Sequence, residues 1–139
     1  MGYSTLLFLH VTSAFTMVTA AGLLLAIALA QRSNRHSATA LRLAPAAAIL
    51  WPIGSLLAIV FGVWLALHDS QYSLGDGWII AAIVLWVIGG AIGGRLGSGY
   101  RKMATSGAAA DPSALVMNLA LILTLVVILI DMIYKPGAS

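Results

Sequence analysis

The chain is 139 residues long, 61% hydrophobic and 8% charged, with a mean hydropathy of +1.02. An average soluble domain carries about 25% charged residues, so seven Lys/Arg and four Asp, with no Glu, cannot cover a water-facing surface. This excludes a soluble globular enzyme, a disordered tail and a nucleic-acid binder. The absence of cysteine excludes disulfides, thiolate metal sites and cysteine nucleophiles.

A membrane-crossing helix needs roughly 20 mostly apolar residues, because the hydrocarbon core is about 30 Å thick and a helix rises about 1.5 Å per residue. The first such stretch is 6–30. Ala28-Leu29-Ala30 resembles a signal-peptide cleavage site, but residues 2–9 carry no positive charge and the apolar run exceeds a usual signal core. It is therefore read as a span. His10 falls about a turn and a half inside it, and Ser13 and Thr16 follow at three-residue steps. The connection 31–43 is polar and basic, with Arg32, Arg35 and Arg42; His36, beside Arg35, is read as solvated.

The second stretch is 44–67. It carries Gly54, Ala58, Gly62 and Ala66 at four-residue spacing, and Pro52, which is expected to kink the helix. His68 and Asp69 close it and open an acidic connection that includes Asp76. The third stretch, 78–97, carries Gly89, Gly93 and Gly97, with Gly90 and Gly94 beside them. The connection 98–113 is basic at Arg101 and Lys102, then small; Asp111-Pro112-Ser113 reads as a helix start. The fourth stretch, 114–133, holds Asn118, Thr124 and Asp131.

In lipid every backbone group must be satisfied within its own segment, so the spans are helices. Short connections favour an all-α, four-helix transmembrane up-down bundle, a single membrane domain over residues 1–139. Lys and Arg set its orientation: six flank the connections 31–43 and 98–113, against Lys135 alone at the other end. Both basic connections are expected in the cytoplasm and both termini outside. Tyr3, Tyr72, Trp78 and Tyr134 fall at the expected outer interface, where amphipathic rings prefer to lie.

Small residues every fourth position let helix backbones approach closely. At Gly54, Ala58, Gly62, Gly89, Gly93 and Gly97 this serves either packing within the bundle or a homodimer interface on the third span. Ionisable groups inside a span are costly and are functional candidates. His10, Asp131, His68 and Asp69 gather at the outer end, and three readings stand. His10 and Asp131 form an interhelical polar pair that fixes the packing. His10, with His68, binds haem b or a metal, since neutral imidazole is a common ligand. A proton or ion path is the third, although the span centres are almost wholly apolar.

No phosphate loop, paired metal-ligand histidines or nucleophile elbow is present. Small multidrug exporters share the size and span number, but a membrane-embedded Glu is central to them and this chain has none. The openings Leu6-Leu-Phe-Leu-His10-Val and Trp78-Ile-Ile-Ala-Ala-Ile-Val-Leu-Trp86-Val, the latter after Leu74-Gly-Asp76, resemble those of a group of uncharacterised four-helix membrane proteins of bacteria. The Leu-His-Val opening also resembles the copper-resistance D-type membrane domain and the haem-binding protoporphyrinogen oxidase. The latter resemblance implies a haem-ligand role for His10. The oxidase's aromatic-Ala-Gly and Leu-Pro-Arg features are replaced here by Ala14-Phe-Thr-Met-Val-Thr-Ala-Ala-Gly22.

The expectation is a small, non-enzymatic protein of the bacterial plasma membrane, self-associating or part of a larger membrane complex, with the lipid bilayer as its surroundings. A b-type haem protein using His10 is the alternative, and a small-solute transporter the third.

Overall fold

The computed structural model describes residues 2–33, 38–107 and 111–136, with Thr39 described by its backbone only. Arg35 and His36 lie outside the described residues. The chain forms four α-helices: α1 Tyr3–Ser33, α2 Ala38–His68, α3 Gly77–Ser106 and α4 Ala114–Tyr134. They pack up-down. Each helix lies against its neighbour in the chain, and α1 also meets α4, which closes the bundle; α1 and α3 stand on the diagonal and barely touch. All four are long and apolar enough to cross a membrane.

The helices outrun the spans expected from hydropathy. α2 begins at Ala38, not near 44, and α3 runs to Ser106, not 97. Much of the expected connections 31–43 and 98–113 is therefore helical. Hydropathy marks where a helix leaves hydrocarbon, whereas backbone hydrogen bonds and helix-favouring Ala, Leu and Arg carry it onward. At about 1.5 Å per residue, α1, α2 and α3 are each about 45 Å long, enough to cross the hydrocarbon core and its polar margins. α3 stops at Gly107, which takes the left-handed conformation (φ 65°) and donates its N–H to Met103 O. α2 continues as one helix through Pro45 and Pro52.

Large apolar side chains point outward: Phe8, Phe15, Ile49, Leu56, Val116, Leu123 and Ile133 are all exposed. The interior of the α1–α2 seam is largely alanine, with Ala20, Ala21, Ala28, Ala40, Ala44 and Ala47 buried. Lipid tails solvate Phe and Leu as well as a core does. Close packing therefore selects small residues at the seams, and dispersion takes over from hydrophobic burial as the holding force. The bulk of the core comes from Leu24, Ile27, Trp51, Leu96, Leu121 and Leu125.

Candidate functional site

The described polar groups of the bundle separate into three places. The first surrounds His10. Its Nδ1 lies 3.0 Å from the Ala58 carbonyl oxygen on α2. A carbonyl only accepts, so Nδ1 carries the proton, and in the neutral ring Nε2 holds the lone pair. Gly62 makes room: a Cβ there would lie 2.9 Å from His10 Cε1. Two of the small residues on α2, Ala58 and Gly62, thus act together as the seat of one imidazole. One turn along, a Cβ at Gly54 would come within 2.8 Å of the Met17 backbone nitrogen, so the α1 and α2 backbones touch there.

His68, at the end of α2, is exposed. Among the described residues no three His or acidic side chains are grouped to hold a metal ion, and no hydrogen bond or ion pair joins His10 to Asp131. Asp131 is 8% exposed and its Oδ2 has no hydrogen-bond partner. The hydroxyls that give α1 a mildly polar face are spent on their own helix: Ser13 donates to Leu9 O at 2.7 Å and Thr16 to Thr12 O at 3.0 Å. Thr124 donates to Ala120 O at 2.8 Å.

The second place is the face of α3. Gly89 looks toward Leu121 and Thr124 of α4, Gly93 lies against the Trp51 indole, and Gly97 faces Ala48 of α2. All three are used inside the bundle. Gly90 and Gly94 are different, since a Cβ at either would meet nothing within 4 Å. They open onto a groove of about 500 Å³ between α2 and α3, whose floor Gly93 and Gly97 share, walled by Trp51, Pro52, Leu56 and Trp86 and edged by Arg101. The groove is bridged where Trp86 Nε1 donates to Ser55 O at 2.9 Å. Composition alone does not separate inward from outward glycines, because the outcome depends on the rotation of α3 about its axis.

The third place is polar contacts at the helix ends. Asn118, fully buried, donates from Nδ2 to Tyr100 Oη at 3.0 Å and to Ala114 O at 2.8 Å, tying α4 to α3. Lys135 Nζ donates to Tyr72 Oη at 2.6 Å, tying the end of α4 to the α2–α3 connection. Nothing in the spacing of Tyr72 and Lys135, 63 residues apart, signals that contact.

Four apolar helices with small-residue seams define a polytopic membrane protein. Comparison with protein families, curated proteins and solved structures returns no match, so no family is identified.

Proposed function

We propose that this protein is a non-enzymatic membrane subunit that associates with a second copy of itself through the outward face of α3. The observation that carries this reading is the division of the α3 glycines. Gly89, Gly93 and Gly97 serve the bundle, while Gly90 and Gly94, one residue on, face open space beside an apolar groove. A helix can lay its backbone against such a face, where larger side chains would hold it off. Gly94→Leu fills the face, and the Cβ it adds has no atom within 4 Å. Crosslinking in mild detergent should capture a dimer of the wild-type chain and at least several-fold less of Gly94→Leu. An unchanged dimer fraction would remove the reading.

One observation favours a second reading, with His10 as an axial ligand of haem b. Metal-ligating histidines usually give their other N–H to a carbonyl or carboxylate, which fixes the tautomer and orients the ring. The His10 Nδ1 to Ala58 O contact is of that kind and leaves Nε2 with its lone pair. Under this reading the protein purified from haem-replete cells shows a Soret band that His10→Ala abolishes. A colourless wild-type protein would count against it.

A further inference from the structure

We propose that the end of the bundle where α3 begins and α4 ends binds an organic cation of the quaternary-ammonium class, in the place held here by the Lys135 ammonium. Tyr72 and Trp78 stand edge to face, with ring centroids 5.4 Å apart at 81°. The Lys135 Nζ is hydrogen-bonded to Tyr72 and lies 5.5 Å from the centre of the Trp78 ring. The ring pair thus already receives a cation, through the electrostatic attraction between a positive charge and aromatic faces.

Asp131 is an independent observation. It precedes Lys135 by one turn, and the Lys135 backbone N–H donates to the Asp131 carbonyl at 2.8 Å. It is more than nine-tenths buried, and its Oδ2 has no hydrogen-bond partner, while the lysine ammonium bonds Tyr72. The Trp78 indole N–H is also buried without a partner. A carboxylate buried without a counter-charge is costly, and a cation seated between it and the rings removes that cost. The wider field agrees: of the charged side chains at this end, three are aspartates (Asp69, Asp76, Asp131) and one is Lys135. The Asp69 and Asp76 carboxylates accept backbone N–H groups of Gln71 and Ser73 in the connection, which leaves Asp131 as the carboxylate that faces inward.

The chemistry of the walls selects the class of ligand. One carboxylate supplies too few oxygens for Ca²⁺ or Mg²⁺, which take six or more ligands, and among the described residues no three His or acidic side chains are grouped to hold any metal ion. Anions are repelled. A quaternary ammonium brings no N–H that needs a partner and suits aromatic faces. Lys135, at the end of its helix, can yield its place by side-chain rotation, so it acts as a tethered competitor.

The test is equilibrium dialysis of the full chain in detergent against radiolabelled tetramethylammonium, with sodium chloride at matched ionic strength as the blank. Saturable binding is expected in the wild type. Lys135→Ala should lower the apparent Kd by tenfold or more, and Asp131→Asn should raise it by tenfold or more at unchanged helix content by circular dichroism. Trp78→Phe should also weaken binding, which provides a second variant should Asp131→Asn fail to fold. No saturable binding in the wild type and in Lys135→Ala, equal affinity of those two, or wild-type affinity in whichever of Asp131→Asn and Trp78→Phe folds would each overturn the proposal. None of these readouts depends on dimer formation or on haem.

Discussion

At Gly93 a methyl group would overlap the Trp51 indole, while at Gly94 it would meet nothing within 4 Å. Overpacking a well-filled seam costs about 1–3 kcal/mol. Gly93→Ala is therefore expected to destabilise the bundle by at least that much in an SDS unfolding titration, and Gly94→Ala to leave it unchanged. Equal effects would mean that α3 is rotated from the position described. Gly54 belongs with Gly93, because its neighbour is Met17 backbone, which cannot swing away as a side chain can. His10 shows the same dependence on a partner's shape. Its ring is admitted by Gly62 and held by the Ala58 carbonyl, so at Gly62 the absent side chain serves one imidazole, whereas at Gly54 it serves helix contact.

Among the elements, α4 is the shortest helix, and its start is organised by a side chain. Asp111 Oδ1 accepts the Ser113 backbone N–H at 2.9 Å and the Ser113 hydroxyl at 2.6 Å, and Ala114 N donates to the Asp111 carbonyl at 3.1 Å. The Ser113 hydroxyl and N–H hold the Asp111 carboxyl below the usual carboxylate range. A depressed folded-state pKa means that the contribution is fully present above the unfolded value, about 3.9, and is lost as the pH falls through the folded value. Amide exchange at residues 113–117 should accordingly be constant from neutral pH down to about pH 4, once corrected for intrinsic rates, and should accelerate below it. Asp111→Asn should remove the acid step. The Asp-Pro-Ser signal thus marks the neighbourhood of this helix start, but the expected cap at Asp111 with Pro112 in the first turn is not what forms: the cap position is Ser113, the helix begins at Ala114, and Asp111 closes the turn before it.

For the whole molecule, the ends differ in charge. Arg32, Arg42, Arg101 and Lys102 are exposed at the end holding the α1–α2 and α3–α4 connections, and Lys135 lies at the other. We propose that the basic end faces the cytoplasm, on the strength of the rule that Lys and Arg are retained there. The chain lacks cysteine, so one introduced thiol reports alone. A maleimide that cannot cross membranes should label Ser73→Cys in intact cells and spare Thr105→Cys; the reverse pattern would invert the topology. Exposed large apolar side chains lie on all four helices, which suits each of them to face lipid.

How much was legible in advance depended on the range of the physics involved. Span number, helical state and up-down order follow from the sequence alone, because a hydrocarbon slab imposes length and backbone satisfaction on each segment separately. The candidate residues His10 and Asp131 are legible for the same reason: a polar group in an apolar run stands out locally. Helix ends were not legible at Ala38 or at Gly107, because polar residues beyond the expected spans conceal a continuing helix at both. Partners required the tertiary structure. Which glycines of α3 face Trp51 and which face outward, that His10 bonds Ala58 O, and that Lys135 reaches Tyr72 are all set by rotation and register between helices. Those are fixed by seams of similar small residues, which the sequence repeats on several faces and only three-dimensional packing distinguishes.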